Sequence, residues 1–278
     1  MNNIYIYILN FMNIFDKKIK DLVNDYENHL KEDELIDDKL DHLVYEMKER
    51  HKISFIIPAY KSENYIQECL DSILKVEGLD EYEILLGIDN CLDTFNKVQE
   101  IKSSYKNLKI YWFPKNVGPY VVKNTLVKQS KFNTICFFDS DDIMLSDYLH
   151  NFTYFIKNTF VNVRCANFVH PDKSKIIMTY NPAGIIIVNK KDFIAVNGYA
   201  DWRCGADSDL IRRLEMKGLK RIDAKKTTML RRIHENNITN NELYGNDSIY
   251  RKERYQESLS RKKFKLKYYI TSGYELLT

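Results

Sequence analysis

The feature that most restricts the fold of this chain is an alternation: short apolar runs rich in β-branched and aromatic residues recur along it, each followed by a stretch with helical spacing. Ile53-Ser54-Phe55-Ile56-Ile57 reads as a buried strand halted by Pro58. Ser62-Glu63 opens a helix in which Ile66, Cys69, Leu70, Ile73 and Leu74 share one face, and Gly78 marks its end. Glu83 to Ile88 is a second strand, Val98 and Ile101 belong to a second helix, Leu108 to Phe113 is a third strand and Val117 to Val127 a third helix. Thr134 to Phe138 is the fourth strand. Such an alternation implies parallel βαβ units with right-handed connections, whose ligands gather beyond the carboxyl ends of the strands. Pro58-Ala59-Tyr60, Asp89 and Asp139 to Asp142 all follow strands directly, so the topology brings them to one edge.

The fourth strand runs straight into Asp139-Ser140-Asp141-Asp142, where three carboxylates fall within four positions. If extended geometry continues, the period of two puts Asp139 and Asp141 on one side and Ser140 on the other. Two like charges aimed at one small volume repel unless a cation sits between them, and Mg²⁺ or Mn²⁺ are the ordinary oxygen-seeking candidates. Such an ion, gripped by one or two carboxylates, completes its shell with phosphate oxygens and water, so the expected tenant is a metal-bound diphosphate. The competing reading is a strand followed by an acidic turn, with Asp142 or Ser146 capping the next helix.

A net charge of +3 over 278 residues argues against holding nucleic acid by bulk electrostatics. The five cysteines are widely spaced and form no C-x-x-C, so neither a disulfide frame nor a zinc site is indicated, and a reducing, cytoplasmic setting is expected. Three divisions follow from composition. Residues 1–51 read as an amphipathic, acidic helical arm whose apolar start, Ile4 to Phe15, is shorter than a spanning helix requires. Docking of that arm on the domain, on a second subunit or on a membrane surface stays open, and its helices are a route to a homo-oligomer. Residues 52–241 form the α/β domain, and 242–278 a basic, helical tail carrying Arg251, Lys252, Arg254, Arg261, Lys262, Lys263, Lys265 and Lys267. A solvated helix is the default for such a charge run, with contact to acidic lipid or acceptor as the alternative.

These residues resemble the family-2 glycosyltransferases with the GT-A fold, over residues 53 to about 240. The resemblance rests on Ile56-Ile57-Pro58-Ala59-Tyr60 with Glu63-Asn64-Tyr65-Ile66, on Asp89 to Asp93, on Asn116-Val117-Gly118 with Lys123-Asn124, and on the DXD pattern of Asp139-Ser140-Asp141. Gly205-Ala206-Asp207-Ser208-Asp209-Leu210 is similar to the family's G-E-D-x-D-L, and Arg232-Ile233-His234-Glu235-Asn236-Asn237-Ile238-Thr239 to its R-x-H-x-x-S-x-T. The order of the pieces, on elements read independently, gives the match its weight.

The resemblance implies a Rossmann-like, mostly parallel sheet flanked by helices, and a nucleotide-sugar donor, UDP-sugar first, whose sugar passes to an acceptor hydroxyl with inversion. Pro58, Ala59 and Tyr60 would line the nucleoside pocket, Asp89 would accept a hydrogen bond from base or ribose, and Lys123 would reach a phosphate or stay solvated. Asp139 and Ser140 would face the donor, and Asp141, with His234 and Asp139, would hold Mn²⁺ or Mg²⁺. Asp207 would be the base, although acids at a helix start are also favoured by the helix dipole. Ala206 stands where the family usually has Glu, which removes a second carboxylate toward the acceptor. Trp202 would stack on a sugar or sit half-buried in the core. A sugar-1-phosphate nucleotidylyltransferase would need a glycine-rich basic loop after the first strand, and Pro58-Ala59-Tyr60-Lys61-Ser62 is not one. An inactive nucleotide- or sugar-binding scaffold is the remaining alternative.

Overall fold

The computed structural model describes residues 52–155, 158–169, 172–235, 237–261 and 269–277. The expected helical arm over 1–51 lies outside the described residues, as do Lys262, Lys263, Lys265 and Lys267 of the tail. The core is a parallel set of strands in the order β3-β2-β1-β4, namely β1 (Lys52–Ala59), β2 (Glu81–Asp89), β3 (Leu108–Phe113) and β4 (Thr134–Phe137). Between them run α1 (Ile66–Leu74), α2 (Leu92–Ile101) and α3 (Pro119–Gln129). The chain steps outward from β1 to β2 and β3, then returns to lay β4 on the other flank of β1. That reversal places a topological switch point between the carboxyl ends of β1 and β4, where open α/β sheets open their ligand crevice.

Beyond β4 the sheet becomes mixed. β5 (Ile143–Met144), β6 (Thr159–Val169), β7 (Asp172–Tyr180), β8 (Ile186–Asn189) and β9 (Lys220–Ile233) extend it in the order β4-β8-β6-β9-β5, with β7 on β6. α4 (Lys190–Ala195) and α5 (Ala206–Met216) lie between β8 and β9. The segment from Asn162 to Arg203, which carries little pattern in the sequence, therefore folds mainly as strands of the same sheet.

The strand period of two sorts the core into two layers. Phe55, Ile57, Leu86, Ile88 and Cys136 pack with Ile66, Leu70 and Ile73 of α1 and Val98 of α2. Ile56, Leu85, Ile135 and Phe137 pack on the opposite face with Val122 and Leu126 of α3 and Leu210 and Leu214 of α5. Gly87 is the closest approach between β2 and α3: a Cβ there would sit 2.4 Å from Val122 Cγ1 and 3.0 Å from Phe113.

Two departures from the sequence reading have a clear physical reason. β1 continues through Pro58 to Ala59 rather than stopping before it. The pairing of β1 with β4 covers only Ile53 to Ile56, so the missing proline N–H falls where β4 has already left the ladder. The tail is not helix alone. It holds α6 (Ile249–Ser260), capped by Ser248 Oγ accepting from Arg251 N, and then β10 (Glu275–Leu277), which pairs antiparallel with β3. Ahead of β10, the Tyr269 hydroxyl donates to Asn124 O at 2.7 Å and Ser272 N to Thr125 Oγ1 at 3.1 Å, fastening this stretch to α3. Among the described residues no helix is long and apolar enough to cross a membrane.

Candidate active site

The acidic loop leaves β4 as a turn, in which Asp142 N donates to Asp139 O at 3.3 Å, rather than as continued strand. Ser140 turns inward, buried, with its Oγ 2.6 Å from Ser62 Oγ, while the side chains of Asp139 and Asp141 stay partly exposed at 39% and 25%. Ser140 thus joins the acidic loop to the turn after β1. Asp139 Oδ1 accepts from Lys123 Nζ at 2.9 Å. Lys123 is buried, not solvated, and its ammonium also lies 5.9 Å from the Phe137 ring and 6.0 Å from that of Tyr199. Asp142 caps no helix: Oδ1 accepts from Arg232 N at 2.9 Å and, among the described residues, Oδ2 is buried without a hydrogen-bond partner. Burial first, then the neighbouring charges of Asp141 and Asp139, pushes the Asp142 carboxyl well above the usual carboxylate range.

Arg232, at the end of β9, holds this loop in place. Its Nε donates to Asp141 O at 2.7 Å and its Nη2 to Glu68 Oε2 at 2.6 Å, and its guanidinium lies between the rings of Tyr65 and Phe168. A buried guanidinium with these partners fixes both loop and strand. Two residues further on, His234 Nε2 comes 3.0 Å from Asp141 Oδ2, and Asn237 Nδ2 donates to the same oxygen at 3.2 Å. His234 and Asp141, which lie 93 positions apart, are therefore brought together. Among the described residues no three His, Cys, Asp or Glu side chains converge as a ready metal cluster. Asp139 is drawn to Lys123, which leaves Asp141 and His234 as the close pair.

At the end of β2, Asp89 accepts from Val117 N at 2.8 Å and Gly118 N at 2.9 Å, one on each oxygen. Burial raises its pKa, against the pull of those two amides. This carboxylate shapes the turn that starts α3: Gly118, at φ 87°, is the N-cap, and Pro119 follows at the first helical position. Arg203 completes the arrangement, its Nη1 donating to Asn116 Oδ1 at 2.5 Å. Pro58 and Ala59 are buried, and Tyr60 is 50% exposed at the rim. The residues just past β1 and β2, Lys61 and Asn90, take left-handed φ values of 53° and 52°, a strained geometry that recurs at functional strand ends.

Asp207 lies in the first turn of α5, whose N-cap is Gly205 at φ 77°, and its Oδ1 accepts from Ser208 N at 2.9 Å. A Cβ at Gly184 would come 3.4 Å from Asp207 Oδ2, so the backbone before β8 runs close beside it. Asp207 and Asp139 both raise the pKa of Tyr120 and of Tyr199, behind the larger effect of burial. The two carboxylates therefore share one region around that tyrosine pair. Trp202 takes the core alternative: it is buried, with Arg254 and Arg261 over its ring. Sequence reasoning assigned no roles to Arg232, Asn237, Arg203 and Tyr65. Arg232 and Asn237 do flank His234 in the quoted motif, which was the available signal.

The chain is similar to known proteins in sequence and in fold. The chain is 35% identical over 109 residues to the poly(ribitol-phosphate) beta-glucosyltransferase of Bacillus spizizenii, a match covering 38% of this chain and 17% of that protein. The match thus spans under a fifth of that relative's length. Among solved structures, TarS 1-349 of S. aureus in complex with UDP aligns with a TM-score of 0.55 at 18% identity, over 66% of this chain and 61% of that one. The mannosyltransferase PcManGT of Pyrobaculum calidifontis, in complex with GDP-Man and Mn2+, aligns at 0.54 and 14% identity, over 69% and 61%. These likenesses establish the GT-A fold. The sequence model of the family described as Glycosyl transferase family 2 matches residues 54–213, more than half of the 278, so this chain belongs to that family.

Proposed function

We propose that this protein is a metal-dependent, inverting glycosyltransferase that moves a sugar from a nucleotide-sugar, UDP-linked in the first instance, to an acceptor hydroxyl. The observation that carries the reading is the pairing of Asp141 Oδ2 with His234 Nε2 at 3.0 Å, just past the end of β4 at the switch point. Two ligands on adjacent corners of an octahedron with bonds of about 2.1 Å stand about 3 Å apart, so the pair fits a hard divalent ion such as Mn²⁺ or Mg²⁺. A site with few protein donors leaves the remaining positions to a diphosphate and water. When bound, the ion offsets the charge that builds on the departing diphosphate.

The chain's own residues divide the rest of the work. Lys123, charge-paired with Asp139, shares phosphate charge, and Asp139 meets the donor. Tyr60 at the rim, above Pro58 and Ala59, supplies an aromatic face for the base, and Asp89 holds the Asn116–Gly118 turn on which the nucleoside rests. Ser140 acts through its bond to Ser62, which ties the acidic loop to that pocket. Asp207 takes the proton from the acceptor hydroxyl as its oxygen bonds to the anomeric carbon, while the bond from that carbon to the diphosphate oxygen breaks with its electron pair. A single attack from the face opposite the leaving group inverts the anomeric centre. The UDP and the Mn2+ in the two aligned crystal structures, and the glucosyl transfer named for the Bacillus relative, support this assignment.

The test is incubation of the purified chain with a panel of UDP- and GDP-sugars and Mn²⁺, reading donor hydrolysis and transfer. Asp207→Asn is expected to lower turnover by about 10²- to 10⁴-fold. No consumption of any donor, with thermal stability still raised by UDP plus Mn²⁺, would favour a binding scaffold instead, and no response to either would overturn the reading.

A further inference from the structure

His234 is fixed from three directions. Its ring packs on Tyr65, with centroids 4.6 Å apart. Its backbone N–H donates to Asn237 Oδ1 at 2.8 Å, and its Nε2 lies 3.0 Å from both Asp141 Oδ2 and Asn237 Nδ2. Because Oδ1 of Asn237 is committed to that backbone N–H, the NH₂ end of the amide has to face the Asp141–His234 pair. Asn237 is itself buried. Nδ1 of His234 is buried too, and among the described residues it has no hydrogen-bond partner.

A histidine that binds a metal through one ring nitrogen is ordinarily oriented by a hydrogen bond from the other. That anchor is missing here. We infer that Asn237 replaces it from the ligand side, as a positioning residue that keeps the Nε2 lone pair of His234 and Oδ2 of Asp141 aimed at one point. The amide can donate to Nε2 only when the ring proton is on Nδ1, and a neutral imidazole must be in that tautomer to offer Nε2 to a cation. With the proton on Nε2, the ring would donate to Asp141 Oδ2 and close the pair to a cation, and it is this arrangement that the Asn237 NH₂, a second donor 3.0 Å from Nε2, disfavours. In the metal-free protein the NH₂ group donates to Asp141 Oδ2 at 3.2 Å and lies 3.0 Å from His234 Nε2, so the pair is held together before an ion arrives. This inference rests on the metal reading above and adds to it the group that organises the ligands.

The test is Mn²⁺ binding in the presence of UDP, followed by electron paramagnetic resonance, in wild type, Asn237→Ala, His234→Ala, the double variant and Asp141→Asn. Asn237→Ala is expected to weaken Mn²⁺ binding by about 10-fold, the low end for removing an orienting partner. It should also remove or diminish the imidazole nitrogen coupling in the pulsed spectrum. In the His234→Ala background the same change should have no further effect, because Asn237 acts through the imidazole. Unchanged affinity and coupling in Asn237→Ala, or additive losses in the double variant, would overturn the inference. Full Mn²⁺ affinity in Asp141→Asn would instead overturn the metal reading itself, which separates the two failures. If the alanine variant does not fold, Asn237→Ser retains a hydroxyl and is expected to show an intermediate loss.

Discussion

At the scale of single residues, the site is built on carboxylates whose surroundings set different duties. Asp142 is the extreme case, 1% exposed, with one oxygen on Arg232 N and the other, among the described residues, unpartnered. Its folded pKa is raised by burial and by Asp141 and Asp139, so the folded chain holds this proton more tightly than the unfolded chain. Relative to the unfolded state, stability from this group is intact below the ordinary value of 3.8 and is lost as pH rises toward the folded value. Asp142→Asn keeps the acceptor for Arg232 N. It is expected to raise the melting temperature of the metal-free protein near neutral pH, with the gain shrinking toward zero below pH 3.8, as read by calorimetry over a pH series. A gain independent of pH would contradict the assignment. Alternation suggested the partly exposed Asp139 and Asp141 and the buried Ser140, but the loop reaches this facing through a turn, with Asp142 N on Asp139 O at 3.3 Å, and not through continued strand. The engagement of Asp142 with Arg232 was not, because the partner is 90 positions away and no local periodicity encodes it.

At the scale of elements, β9 and α3 position the chemistry. Arg232 at the end of β9 bonds to the acidic loop and to Glu68 of α1; truncating its side chain takes that donor from Asp141 O, while the backbone N–H to Asp142 and the Lys173–Glu68 pair remain. Arg232→Ala is expected to cost about 1–3 kcal/mol in denaturant unfolding, the range for leaving a buried polar group unsatisfied. α3 brings Lys123 to Asp139 and packs on β2 through Gly87. A methyl at Gly87 meets Val122, Phe113 and Leu126 within 3.2 Å, so Gly87→Ala is expected to destabilise by about 1–3 kcal/mol. A neutral result would mean that α3 is free to shift off β2. The first four strands and first three helices were readable because apolar runs and helical spacing alternate cleanly there. β6 to β8 were not: Asn, Lys and Arg punctuate them, and β6 and β8 take their outer partners from β9 and β4, far along the chain.

At the scale of the whole molecule, one sheet gathers strand ends from across the chain. The tail belongs to that assembly. Asn124 donates to Tyr199 O and Ile270 O, its backbone carbonyl accepts from Tyr269, and β10 closes on β3. Deleting residues 269–278 is expected to cost on the order of 2–4 kcal/mol in urea unfolding, since several hydrogen bonds of about 1 kcal/mol each are lost with their packing. Composition alone presented this stretch as a basic helix, because a three-residue strand is too short to announce itself in sequence. The convergence of the strand ends is most directly tested by UDP affinity, measured calorimetrically with Mn²⁺ and with chelator, in wild type, Asp141→Asn and Asp207→Asn. The expected result is Mn²⁺-dependent binding in wild type, its loss in Asp141→Asn and its near-complete retention in Asp207→Asn. Equal loss in both variants, or binding indifferent to Mn²⁺, would contradict it.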